Sequence, residues 1–199
     1  MVATYRNQLG ELEQQRREAG LRVLELDVAS DASAARLSRE LAGTALDLLF
    51  CNAGLYGGER QGIGDVDLQA WRDAFEVNTL GPFRVVTALR DALEHADRPR
   101  VLILTSQMGA LSRARPGAYA YRSTKAAANK VAQLLALDLA SAGIIVCPVH
   151  PGWVRTDMGG PDAEISVQES AAGLVALAER LTPECSGRFW CWDGAEHAW

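Results

Sequence analysis

The chain has 199 residues, 48% of them apolar and 23% charged, with a formal net charge of −5. Those values describe one globular domain with a sizeable core, and they exclude a disordered tail, a collagen-like chain and a disulfide mini-protein. The two signs of charge are scattered, which argues against a nucleic-acid partner.

The elements follow in chain order. Residues 2–5 are an apolar run of strand length, and polar residues 8–19 read as a surface helix. Residues 21–28 form the second strand-like run. Ser30-Asp31 is a capping signal for a helix over 32–41. Residues 45–51 are the third apolar run. Gly58-Glu59-Arg60-Gln61-Gly62-Ile63-Gly64 then reads as a flexible loop before one long helix over 68–90, which contains Trp71 and Phe75. Strand-like runs at 100–104, 144–149 and 188–192 alternate with helices over 119–142 and 167–181. Strands apolar on both faces, alternating with helices, predict an α/β, doubly wound parallel sheet covered on both sides. A single Rossmann-type domain over residues 1–199 is expected.

No apolar run reaches the ~18 residues of a membrane span, and residues 1–6 lack the order of a signal peptide. Cys51, Cys147, Cys185 and Cys191 form no C-x-x-C pair, and His95, His150 and His197 sit in no ligand pattern. Reduced thiols in a cytoplasmic protein without a metal are the expectation.

In such sheets ligands bind beyond the carboxyl ends of the strands, and the polar signals of this chain fall there. Asp27 and Val28, Asn52-Ala53-Gly54, Thr105-Ser106 and Pro151-Gly152 each end an apolar run. Of the 20 basic residues only Lys125 and Lys130 are lysines, so a compact ammonium at 125 is a departure from the chain's default. Tyr121 and Lys125 lie four apart and therefore share a helix face. An ammonium beside a phenol favours the phenolate, which makes Tyr121 a candidate general acid/base. Ser106 can reach the same volume from the preceding strand end and donate to a substrate carbonyl. Asn78 lies in the interior of an apolar helix, where an Asn is mildly unfavourable and has to have another reason to be there.

Asn52-Ala53-Gly54, Asn78, Ser106, Tyr121-x-x-x-Lys125 and Pro151-Gly152-x-Val154-x-Thr156 stand in the order and at the spacings of the short-chain dehydrogenase/reductase family, which the chain resembles from Thr4 onward. Within it, Thr4-Tyr5-Arg6-Asn7, the stretch 150–160 and the ending 187–199 are similar to the C-factor-like and sniffer-like carbonyl reductases. The resemblance implies a hydride-transferring oxidoreductase that interconverts a small carbonyl compound and an alcohol. Tyr121 would move the proton, and Lys125 would lower its pKa and hold the nicotinamide ribose. Ser106 would polarise the carbonyl, and Asn78 would hold a water linking Lys125 to solvent. Asp27 resembles the acid that contacts adenine, and reads equally as a strand-end Asp capping the next turn. Val28, Asn52, Ala53, Gly54, Pro151, Gly152, Val154 and Thr156 would line the cofactor, with Thr156 on the carboxamide. Arg6 stands where users of NADP(H) rather than NAD(H) place a base for the 2′-phosphate. Pairing of the long helices between subunits into a homo-oligomer is open.

The chain departs from the family in one large respect. Complete members open with a strand and T-G-x-x-x-G-x-G, which cradles the pyrophosphate at a helix N-terminus; here that first strand and first helix are missing. Gly58–Gly64 fits the glycine spacing but follows Asn52-Ala53-Gly54, in the wrong order. Two expectations follow: an incomplete version of an active reductase, or a non-catalytic or signalling relative that has lost cofactor binding. The short stretch between Thr156 and the helix at 167 implies an open substrate site.

Overall fold

A computed structural model describes residues 1–10 and 12–199. Strand β1 (Val2–Tyr5) is followed by helix α1 (Leu12–Ala19) and strand β2 (Arg22–Glu25), which pairs with β1 in parallel, Val2 opposite Arg22. Helix α2 (Asp31–Glu40) starts where the Ser30 side chain accepts from Ser33 N, so the capping signal acts as expected. Strand β3 (Leu48–Cys51) comes next, and then a two-stranded hairpin, β4 (Gln61–Gly62) with β5 (Asp65–Val66). The segment read as a flexible loop is thus partly folded.

The long helix expected over 68–90 is real but interrupted. Helix α3 (Leu68–Phe75) passes through a π-helical turn (Glu76–Leu80) into α4 (Gly81–Ala88), and the chain then bends at Leu89 before α5 (Arg90–Glu94). Strand β6 (Arg100–Leu104), helix α6 (Tyr119–Asp138), strand β7 (Ile145–His150), helix α7 (Val167–Arg180) and strand β8 (Trp190–Cys191) complete the fold.

The larger sheet runs β3-β6-β7-β8, all parallel, and β1-β2 stands apart as a second parallel sheet. A doubly wound sheet of order 3-2-1-4-5-6 that lacks its first strand gives this division. Among the described residues, β1 has no partner on the side away from β2, and β3 none on the side away from β6.

The core follows the larger sheet. On one face Val101, Ile103 and Val146 pack against Ala132, Leu135 and Leu139 of the α6 side and Leu93 of α5; on the other Leu102, Cys147 and Val149 pack against Leu174 and Leu177 of α7. A third cluster, Leu37, Leu41, Val85 and Leu89 with Val2 and Leu24, reaches Leu49 of β3 and ties the small sheet to the large one. Arg84 reinforces that tie by donating to the carboxylate of Asp31, to Val28 O at 2.7 Å and to Glu76 at 3.3 Å.

Candidate active site

The carboxyl ends of β1, β2, β3, β6 and β7 open onto one cavity of about 1080 Å³. All the site residues expected from the sequence line it except Asn78, which stands behind the wall.

Ser106 leaves β6 as the cap of a short 3₁₀ turn (Gln107–Gly109), its hydroxyl accepting from Met108 N at 3.1 Å. That turn lies directly on α6. A Cβ at Gly109 would sit 2.6 Å from the carbonyl carbon of Lys125 and 2.7 Å from Ala126 N, so only glycine lets the two backbones approach. This contact sets Ser106 beside Tyr121. Lys125 follows one turn later, its ammonium 5.8 Å from the centre of the Tyr121 ring, and donates to Leu104 O at 2.8 Å. A Cβ at Gly54 would lie 3.4 Å from both Lys125 Nζ and Asn78 Oδ1.

The electrostatics correct one expectation. The Tyr121 phenol is raised above its ordinary pKa, because burial outweighs the lowering effect of Ser106 and the charge of Tyr56 acts in the same direction as burial. Lys125 contributes nothing resolvable to Tyr121; instead its own pKa is pushed down to about 8 by burial. In this arrangement Tyr121 is a protonated acid at neutral pH.

Asn78 occupies the π-helical turn, a feature that recurs at functional sites. Its Oδ1 accepts from Leu55 N at 2.7 Å, and its Nδ2 donates to Leu55 O at 2.8 Å and to Thr124 Oγ1 at 3.0 Å. The amide therefore fastens the loop after β3 to α6, and both its N–H groups are committed. Pro82, which has no N–H, leaves the Asn78 carbonyl four residues back without that helical donor.

Other expected residues divide. Asp27 caps the next turn, accepting from Ala29 N at 2.9 Å, while still lining the cavity. Thr156 also serves a turn, its hydroxyl accepting from Gly159 N at 3.1 Å. At Gly152, with φ +90°, a Cβ would meet Ile165 at 2.4 Å; there glycine serves packing. Arg6 is exposed at the cavity edge below β1.

Sequence reasoning missed Gln61. Its Oε1 accepts from Tyr121 N at 3.1 Å, and its Nε2 donates to Tyr56 O and Gly58 O at 2.9 and 3.0 Å. Ala118, with φ 51°, gives α6 no side-chain cap, so Gln61 of the hairpin supplies an acceptor for one of the unpaired N-terminal N–H groups. A Gln in a glycine-rich loop carries no local signal for that role. Tyr56 packs its ring 5.2 Å from that of Tyr121.

The sequence pattern of the short chain dehydrogenase family matches residues 1–165, and the chain belongs to that family, a family of oxidoreductases. It is similar to the C-signal of Myxococcus xanthus, 41% identical over 155 residues, 77% of this chain and 93% of that protein. It is also 39% identical over 174 residues to the 1-hydroxy-2-glutathionyl-2-methyl-3-butene dehydrogenase of Rhodococcus sp. (strain AD45), covering 85% of this chain and 74% of that one. Among solved structures, the carbonyl reductase Sniffer of D. melanogaster superposes with a TM-score of 0.93 at 29% identity, and the NADPH-bound carbonyl reductase from chicken fatty liver with 0.88 at 28%. Each covers all of this chain, and this chain covers 87% of each.

Proposed function

We propose that the protein is an NADP-dependent reductase of small carbonyl compounds, with Tyr121 as the proton donor. The convergence of Ser106, Tyr121 and Lys125 on one side of the cavity carries this reading. NADPH, when bound, supplies a hydride to the carbonyl carbon. Ser106 and Tyr121 stand where two hydroxyls can donate to the substrate oxygen as negative charge gathers on it. The Tyr121 hydroxyl delivers its proton to that oxygen, and a phenol held protonated suits the reductive direction. Lys125, with a pKa of about 8, restores the proton at Tyr121 and holds a ribose. The Asn78 carbonyl, rather than its amide, is the group left to bind a water behind Lys125.

The fit of the cofactor is uneven along its length. The end near Gly54, Lys125 and Thr105 is open and polar, and the buried Thr105 hydroxyl has no protein partner. Asp27, Val28 and Arg6 suit the adenosine end, with Arg6 favouring a 2′-phosphate. Between them, among the described residues, no glycine loop and helix N-terminus meet the pyrophosphate; the gap between β1 and β3 occupies that place. Asn52 and Ala53 line the near edge of that gap, and Pro151, Gly152, Val154 and Thr156 its far wall. Such a protein would act on small molecules in the cytoplasm. Among the described residues no helix is long and apolar enough to cross a membrane. Exposed Leu134 and Leu137 on α6 and Phe83 on α4 leave faces for a homo-oligomer.

A second reading, a non-catalytic or signalling relative that has lost cofactor binding, is favoured by the likeness to a protein named C-signal. Tyr121→Phe separates the two. In a form that binds NADPH, the Phe variant should keep cofactor affinity and lose carbonyl reduction by about 10²–10⁴-fold. Near wild-type reduction by that variant would remove Tyr121 as the acid, and a wild type, extended at its N-terminus or not, that neither binds NADPH nor reduces carbonyls would favour the second reading. Arg6→Asp should shift preference toward NADH; unchanged preference would take Arg6 out of the cofactor site.

A further inference from the structure

The charge of this chain is strongly uneven around the cavity. The whole carries −5, yet residues 98–137 contain seven Lys and Arg and no Asp or Glu. Three of those cations, Arg113, Arg115 and Arg122, line the cavity from the segment that joins Ser106 to Tyr121. None of them makes an ion pair among the described residues, although arginines elsewhere in the chain pair with carboxylates.

Their existing contacts are to neutral groups. Arg113 donates to the Gln107 side chain, and Arg122 Nη1 makes long contacts to the carbonyls of Met108 and Arg113, at 3.4 and 3.3 Å. Arg122 Nε is buried without a partner, a position that costs free energy unless a ligand completes it. Arg115 makes no hydrogen bond among the described residues and lies exposed. Asp157 and Glu164 line the same cavity from the segment after β7 but pair with none of the three. The C-terminal Trp199 oxygen is taken by Ser112 N at 3.0 Å. Burial, with smaller contributions from His197 and Arg113, holds His150 down at about 4; His150 is therefore neutral at pH 7 and does not add to the positive charge.

We infer that Arg113, Arg115 and Arg122 form a recognition site for a carboxylate, so that the substrates preferred by the Ser106–Tyr121 centre are anionic carbonyl compounds or the matching hydroxy acids. The inference rests on the oxidoreductase reading for its reaction, but the anion site stands on its own geometry. A substrate whose oxygen lies at Ser106 and Tyr121 extends along the segment that joins them. Guanidinium forks there meet the flat carboxylate with paired, charge-assisted hydrogen bonds. A neutral chain of the same length would leave the Arg122 N–H unsatisfied.

Two measurements test this. The first needs no cofactor: the full chain is titrated by calorimetry with glutarate and with glutaramide, which differ in charge but little in shape. Glutarate should bind about tenfold tighter or more, an advantage that shrinks with added salt. Arg115→Gln should remove most of that advantage, and Arg115→Lys should keep part of it. Equal binding of the two probes, or an advantage untouched by Arg115→Gln, would overturn the site. The second measures NADPH consumption, in a form that binds NADPH, with 4-oxobutanoate and with butanal. The ratio of their kcat/KM should favour the acid by about tenfold and fall in Arg115→Gln. A ratio near one would overturn the substrate assignment. Turnover of neither aldehyde, with glutarate still preferred, would uphold the anion site and overturn the oxidoreductase reading instead.

Discussion

The two sheets differ in how completely their strands are enclosed. In β6 and β7 the central residues Val101, Leu102, Ile103, Val146, Cys147 and Val149 have no exposed surface, with helices on both faces and ladder partners on both edges. In β1, β2 and β3 only Cys51 is buried, and Leu48, Leu49 and Phe50 are only partly buried although they are as apolar as the strands beside them. Apolarity alone therefore does not produce burial; a strand needs a neighbour on each edge before its side chains are covered. The catalytic candidates Ser106, Tyr121 and Lys125 belong to the enclosed unit. Arg6, Asp27 and Val28, which line the same cavity, belong to the open one.

Core truncations should break this contrast most visibly. Leu102→Ala removes a side chain with no exposed surface in the larger sheet and should cost about 3–5 kcal/mol of stability. Leu37→Ala, in the cluster beside the gap, should cost about 2 kcal/mol, because neighbours there can move into the space. Urea unfolding of both variants checks the difference, and equal losses would mean that the small sheet is as firmly packed as the large one.

Acid should weaken the enclosed unit through His150. Its pKa is about 4 when folded, against 6.5 ordinarily, because burial disfavours the imidazolium. Between those values the unfolded chain holds a proton that the folded chain does not, so stability falls as pH drops from 6.5 toward 4. The full loss is about 3 kcal/mol. His150→Gln should flatten that part of the stability profile; a profile of unchanged slope would assign the acid sensitivity to another group.

Gly109→Ala should be smaller but more specific. The added methyl meets the Lys125 backbone at 2.6 Å and should cost about 1–3 kcal/mol, while moving Ser106 away from Tyr121. A crystal structure with the Ser106–Tyr121 pair undisturbed would show that the contact does not position them. Smallest of all, Arg84→Ala should remove about 1 kcal/mol and raise amide exchange in β1 and β2 more than in β6 and β7, because Arg84 joins α4 to Asp31 and Val28 across the two units. Uniform exchange changes would deny it that joining role.

Much of this was legible in the sequence because long apolar runs and four-residue spacing are strong signals. The β6 boundaries, the α7 start and the Tyr121–Lys125 face follow from them directly. What was not legible depends on contacts distant in sequence. Two-residue strands are too short to show a period, so the hairpin around Gln61 was hidden. The π-helical turn at Asn78 depends on Thr124 and Leu55, respectively 46 and 23 residues away. The raised pKa of Tyr121 reflects burial, which spacing to a lysine does not report.

On the proposed function, these residues supply the proton-donating wall but only part of a phosphate cradle. Calorimetric titration with NADPH tests it most directly. It compares the 199-residue chain with a form extended at its N-terminus by a strand and T-G-x-x-x-G-x-G segment of roughly 30 residues. Weak or no binding by the shorter form and tight binding by the extended one are expected. Tight binding by the 199 residues alone would contradict it and place the phosphate site elsewhere on this chain.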